Sequence, residues 1–223
     1  EALSIRSRLA KKDPRVSEPD LAVTQNNLGG VYILMKKFSQ SEKMLLAAEE
    51  INENWMKFYP SLYKEKWINS IGTLFELYET WMDTITNEAA KVPYFQKIVS
   101  FSAKIHEIDS SSVVTSGYAN GYGSLSWSLL FAKKFKDAED AARKGLAIDS
   151  RRVWIKAKLA HALLLQGKYD EAKLIYEYLK PLKRSDKQTY TDICLKDLEK
   201  LERNGIINKD VDRIKLFLAN QKE

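Results

Sequence analysis

The sequence predicts an all-α chain of repeated helical hairpins, a solenoid closed by a C-terminal helical cap. Three observations lead there. Residues 119–152 and 153–186 carry one pattern twice, 34 residues apart. A fainter copy lies upstream, from Val23 to Ile51. Glycine and proline number only 9 and 5 among 223 residues, as a nearly all-helical chain requires.

The copies agree by offset. Leu28, Leu125 and Leu159 are each followed at the next position by a small residue (Gly29, Ser126, Ala160) and four positions on by a large one (Tyr32, Leu129, Leu163). Ten positions on stands an aromatic residue (Phe38, Phe135, Tyr169), and thirteen on a small residue again (Ser41, Ala138, Ala172). The stretches Lys36-Lys37, Lys133-Lys134 and Gln166-Gly167-Lys168 fit only tight turns between helices. Helices approach closely where side chains are small, so the small pair marks a crossing and the large residues fill the grooves around it. An ordinary antiparallel bundle also has amphipathic helices and short loops, but it does not repeat the same offsets three times.

In chain order, EALSIRSRLAKKDP reads as the second helix of a repeat, residues 1–13, whose first helix is missing, and Glu1 is not methionine. The chain is thus expected to be a piece of a longer protein, in which a signal peptide or further domains could precede it. Residues 19–54 form the first full hairpin. From Pro60, Leu62, Trp67, Ile71, Leu74, Phe75 and Tyr78 make a helical stripe, and a second helix runs through Tyr94, Ile98, Phe101 and Ile105 to Asp109. More chain separates these two than in the other copies, so residues 60–110 read as a degenerate hairpin with an extended first helix or an inserted turn. Pro93 is expected in the first turn of its second helix. Residues 119–152 and 153–184 are the clear hairpins. In residues 185–223 a helix is expected from Ser185 or Asp186 as N-cap to Asn204-Gly205, then a short helix with Val211, Ile214, Leu216, Phe217 and Leu218 as apolar positions. These would cover the last repeat, which places Glu223 near the natural end.

On these residues the chain resembles the tetratricopeptide repeat family. LAHALLLQGKYDEAKLIYEYL (Leu159–Leu179) is the clearest match, followed by LSWSLLFAKKFKDAEDAARKGLAID (Leu125–Asp149) and LGGVYILMKKFSQSEKMLLAAEEI (Leu28–Ile51). Two departures from the family pattern are Gln25 and Lys156, where a bulky residue is usual early in the first helix, and Ser150 and Arg184, where a proline often closes a repeat. The stretch PDLAVTQNNLGGVY from Pro19 is similar to the longer repeats of the kinesin light chain type. The resemblance implies one solenoid domain, a right-handed superhelix, whose first helices line a concave groove that holds a partner. By register, Asn26, Gly30, Ile33 and Leu34, then Asn120, Trp127 and Phe131, then Trp154, Lys158, His161 and Leu165 face that groove. Trp127, Phe131, Trp154 and His161 are expected as apolar or stacking contacts, and Asn26, Asn120, Arg152 and Lys158 as polar ones. A second reading stands for Trp127 and Trp154, packing against neighbouring helices. Asn26 and Asn27 would bond an extended peptide backbone, though one of them can instead pack between repeats. The lysine, asparagine and arginine clamp for acidic chaperone tails is not matched, because its sites carry Gly30, Trp127 and His161.

Composition bounds the rest. With 44% hydrophobic and 30% charged residues the chain can bury a substantial core, and no apolar run reaches the roughly 20 residues of a membrane-spanning helix. A single cysteine, Cys194, excludes an internal disulfide and a cysteine-rich metal site, which agrees with a cytoplasmic setting. The two histidines lie in different repeats, and no zinc-protease or nucleophile motif occurs. Gly117, Gly121 and Gly123 follow no strand and fit neither nucleotide fingerprint, so a flexible lead-in to a helix is expected there. The chain is therefore expected to be a non-catalytic protein-binding scaffold with no cofactor and no metal. Residues 1–132 hold 14 basic and 15 acidic side chains and residues 133–223 hold 22 and 15, so the net charge of +6 arises in the C-terminal part. Arg143, Lys144, Arg151, Arg152, Lys156 and Lys158 could then attract an acidic partner or a nucleic acid, or form an ordinary solvated face.

Overall fold

A computed structural model describes residues 1–220, which fold into eleven α-helices, one 3-10 turn and a two-stranded hairpin. The chain divides into two compact units, Glu1–Thr86 and Asn87–Glu223.

The first unit contains α1 (Ala2–Lys12), α2 (Pro14–Leu34), α3 (Phe38–Phe58) and α4 (Pro60–Asp83). Each helix packs on the next in sequence, and α2 also meets α4. Pro14 and Pro60 stand in the first turns of α2 and α4, where a missing N–H costs no hydrogen bond. Pro19, at the start of the kinesin-light-chain-like stretch, lies inside α2. Leu45, Trp67, Ile71, Leu74, Leu77 and Tyr78 are fully or almost fully buried. Two polar bonds tie α3 to α4: Trp67 Nε1 donates to Glu49 (3.0 Å) and Asn52 Nδ2 donates to Ser70 Oγ (2.8 Å).

The second unit starts with the 3-10 turn Glu88–Lys91 and continues through α5 (Val92–Ile108), α6 (Ser112–Phe131), α7 (Phe135–Ile148), α8 (Val153–Leu165) and α9 (Tyr169–Leu179). Here too neighbours in sequence pack together and α6 meets α8, the arrangement of a helical repeat. Pro93 is in the first turn of α5. The segment 60–110, which the sequence pairs as one degenerate hairpin, is divided: α4 belongs to the first unit and α5 to the second.

The three hairpin turns are the same motif. Lys36, Lys133 and Gly167, each eight positions after the register leucine, have positive φ (55°, 57° and 79°). The residue after each donates its N–H five positions back, Lys37 to Tyr32 (2.8 Å), Lys134 to Leu129 (3.0 Å) and Lys168 to Leu163 (3.0 Å). That bond and the left-handed residue end an α-helix in the Schellman manner. The small-residue crossing also repeats with varied chemistry. Ser41 Oγ donates to the Gly29 carbonyl (2.8 Å), Ser126 Oγ donates to the Ala138 carbonyl (2.8 Å), and Ala160 and Ala172 are both fully buried.

Beyond α9 the sequence expectation needs correction. Ser185 and Asp186 do not cap a helix. Lys183–Ser185 (β1) pairs with Gln188–Thr189 (β2) in an antiparallel hairpin, and α10 starts later, at Tyr190–Arg203. Thr189 is the cap: its hydroxyl accepts from the Asp192 N–H (3.1 Å) while Asp192 accepts from the Thr189 N–H (2.9 Å). A reciprocal capping box satisfies two otherwise orphaned donors, which fixes the start there. The helix stops at Asn204, with Gly205 at φ +70°. The last helix, α11 (Val211–Ala219), buries Val211, Ile214 and Leu218.

Candidate functional site

The helix faces that the sequence assigns to a binding groove have opposite fates in the two units. In the first unit, α2, α3 and α4 enclose a cleft of about 200 Å³ lined by Ala22, Val23, Asn26, Asn27, Asn52, Lys66, Asn69 and Ser70. Asn52 and Ser70 are satisfied, since Ser70 Oγ also donates to the Lys66 carbonyl (3.0 Å). Asn27 and Asn69 are exposed. Asn26 is different: its Oδ1 is buried and meets no hydrogen-bond donor of the protein, and the same is true of Gln25 Oε1. Leaving a buried carboxamide oxygen unmet costs roughly 1–3 kcal/mol, so such an atom in a cleft wall suits a donor from outside the chain. Ile33, expected to face the groove, is instead buried in the core at 4% exposure, while Leu34 is 83% exposed.

In the second unit α10 lies on that face. Asp197 of α10 takes Lys158 Nζ at 2.6 Å and His161 Nε2 at 3.3 Å, while His161 Nδ1 meets the Tyr176 hydroxyl at 2.6 Å. A carboxylate only accepts, so Nε2 carries the imidazole proton and Nδ1 accepts from Tyr176. Burial pushes the His161 pKa below its usual value despite Asp197, and so the ring is neutral. Burial alone would raise Asp197, but the His161 hydrogen bond and the Lys158 charge outweigh it and hold the carboxyl at about 2. Burial also raises the Tyr176 phenol well above its ordinary value. Lys158 Nζ stands 3.9 Å over the Trp127 ring, Trp127 meets Phe131 edge-on at 4.9 Å, and Lys200 of α10 lies over both rings while pairing with Glu88 at 2.9 Å.

Several expectations are therefore corrected. His161 is fully buried and Lys158 is 8% exposed, so neither presents itself to a partner. Trp127 and Phe131 are half-buried against the core instead of standing open. Trp154 fills a notch over Gly123, where an added Cβ would overlap the indole and come within 2.8 Å of Ile155. That explains the glycine and overturns the flexible lead-in, since Gly117, Gly121 and Gly123 are all helical. The structure does bring together Trp154, Asn120 and Arg152. The indole N–H donates to Asn120 Oδ1 (3.3 Å), and Asn120 and Arg152 line one pocket between the first turns of α6 and the α7–α8 turn.

Five of the six residues of the basic cluster, all but Lys144, are engaged by neighbouring side chains. Arg143 pairs with Glu139 (2.8 Å), Arg151 and Arg152 share Asp149 (2.9 and 3.0 Å), Lys158 pairs with Asp197, and Lys156 sits 4.1 Å over the Tyr178 ring. The Asp149 carboxyl is drawn down to about 2, chiefly by its hydrogen bond from Arg151.

Sequence reasoning missed Asn52, Lys66 and Asn69 in the cleft of the first unit. Asn69 had a signal, because it precedes Ile71 by two positions as Asn26 precedes Leu28. It missed Asp197 completely, for nothing local links that residue to His161, 36 positions away. Among the described residues no group of histidine, cysteine, aspartate and glutamate could hold a metal ion, and no helix is long and apolar enough to cross a membrane. No protein-family model matches the chain, and no curated protein matches it.

Proposed function

We propose that this chain is a non-catalytic binding scaffold of tetratricopeptide type, a right-handed superhelical array, and that its first unit captures an extended segment of a partner protein. The observation that carries the reading is the cleft of α2 and α4, where Asn26 holds a buried oxygen with no partner within the protein. A carboxamide both donates and accepts, so Asn26, Asn27 and Asn69 together match the alternating N–H and C=O groups of an extended backbone. Val23, 48% exposed on the same wall, offers apolar contact to a side chain of the segment. The kinesin-light-chain-like stretch from Pro19 supports the same location. The second unit acts as the supporting part, since α10 already fills the matching face.

The test begins with peptides selected from a random displayed library on the whole chain, followed by fluorescence anisotropy. The double variant Asn26→Ala, Asn69→Ala should bind the selected peptide about tenfold or more weakly, the value of one or two net hydrogen bonds. Its melting temperature should be no lower than that of the wild type, because neither side chain is bonded within the protein and the unmet buried Asn26 oxygen is removed. Equal affinity in the folded variant would sink the reading.

A further inference from the structure

The pocket of about 710 Å³ between the first turns of α6 and the α7–α8 turn has a chemistry that the peptide cleft lacks. It is lined by Ser112, Val113, Ser116, Gly117 and Asn120 on one side and by Asp149, Arg151 and Arg152 on the other. Asp149, 6% exposed, takes Nε and Nη2 of Arg151 and Nε of Arg152. One carboxylate thus orients two guanidinium groups and leaves a net charge of +1. Among the described residues, the terminal nitrogens of Arg152 and Nη1 of Arg151 meet no hydrogen-bond acceptor, and the hydroxyls of Ser112 and Ser116 meet no partner. Asn120 uses its oxygen to accept from Trp154, which leaves its NH₂ to donate. The polar groups that converge here are thus mostly donors: two guanidinium groups held by Asp149 in the pocket wall, the Asn120 NH₂, and two serine hydroxyls that can donate or accept.

We infer that this pocket binds an oxyanion, a carboxylate or a phosphate, carried on a molecule larger than the bare ion. Arg152 supplies a forked, permanently charged donor, Asn120 and the serine hydroxyls supply neutral donors, and Asp149 is the positioning group that fixes both arginines. The volume lies in the range of sites for small organic ligands, and Val113, 79% exposed at the rim, can meet the apolar part of one. The inference does not depend on the peptide cleft, which lies in the other unit.

The experiment is an NMR titration of the whole chain, at constant ionic strength, with inorganic phosphate in one arm and succinate in the other. The expected result is saturable shifts confined to the amides of Ser112, Ser116, Asn120 and Arg152, and the tighter-binding probe tells which oxyanion the pocket takes. Arg152→Gln should weaken binding about tenfold, the loss of a charge-assisted hydrogen bond. Gly117→Glu places a carboxylate at the pocket wall, where an added Cβ meets no atom within 4 Å, and should abolish binding without disturbing the fold. Arg143→Gln, which removes a charge outside the pocket, should bind as wild type does, and weakening as large as that of Arg152→Gln would mean that any nearby charge is enough and would overturn the inference. The inference is overturned if neither probe saturates, if the shifts spread over the lysines generally, or if Gly117→Glu binds as well as wild type.

Discussion

On α2 of the first unit, Asn26 ends in a buried oxygen that no group of the protein meets, whereas on α8 of the second unit His161 and Lys158, buried more deeply, both end on Asp197 of α10. The turns that build both faces are the same, down to the left-handed residue eight positions after the register leucine. What separates them is therefore not the hairpin but what covers it. A buried polar group costs free energy unless something meets it; the second unit meets Lys158 and His161 with a helix of the same chain, though its Ser128 hydroxyl stays unmet, while the first unit leaves the Asn26 and Gln25 oxygens unmet.

The contrast can be broken most severely at Asp197. In Asp197→Asn the Lys158 ammonium, with its side chain 11% exposed, loses its counter-charge, and Lys158 and His161 are left to share one neutral amide oxygen. Uncompensated charges in such places cost about 3 kcal/mol or more. Hydrogen exchange should show the second unit opening more readily, with the first unchanged. Smaller, and again confined to the second unit, is Gly123→Ala, whose methyl group overlaps the Trp154 ring. Overpacking should cost about 1–3 kcal/mol in thermal or denaturant melts. Gly117→Ala, in open space on the same helix, should instead gain up to about 1 kcal/mol from helix propensity.

Acid should also tell the units apart. Both histidines lie in the second unit, and His161 is kept neutral with a pKa below its unfolded value. The unfolded chain then binds the extra proton, so stability falls as pH drops below about 6.5, by at most about 1.4 kcal/mol per pH unit for this one group. Asp197, held at about 2, adds stability that is complete above its unfolded value and is lost as pH falls from about 4 toward 2. Between pH 7 and pH 5 the melting of the second unit should fall, and replacing His161 with asparagine should flatten that slope. A slope unaltered by the replacement would remove His161 from the account. The smallest effect expected concerns the shared turns. Lys36 and Lys133 occupy the left-handed region that glycine holds at position 167. Lys36→Gly and Lys133→Gly should each stabilise their own unit by about 1 kcal/mol, the cost of a side chain in that conformation.

The hairpins were legible because their causes are local. A small residue at the crossing, an aromatic ten positions after the leucine and a two- or three-residue turn are all set within about fifteen positions, and Leu28, Leu125 and Leu159 carry them openly. The exposure of the candidate site was not legible, because it depends on a helix that packs from elsewhere. Register alone places His161 and Trp127 on the face it names; the sequence has no mark that Asp197 and Lys200 return to cover that face. The start of α10 was misplaced for a related reason. Ser185 is an acceptable cap by type, but pairing of Lys183–Ser185 with Gln188–Thr189 claims it first, and the Thr189–Asp192 box supplies two bonds where a lone serine supplies one. Gly123 failed as a signal because a glycine before a helix reads as a loop unless the tryptophan that needs its space is known.

The most direct test of the account is hydrogen exchange on the whole chain with and without a saturating library-selected peptide. The account predicts new protection in α2 and α4, around Asn26 and Asn69, with α6, α8 and α10 unchanged. Protection of α6 and α8 accompanied by faster exchange in α10 would contradict it, because the partner would then be displacing the chain's own helix and the open face of the first unit would not be the binding site.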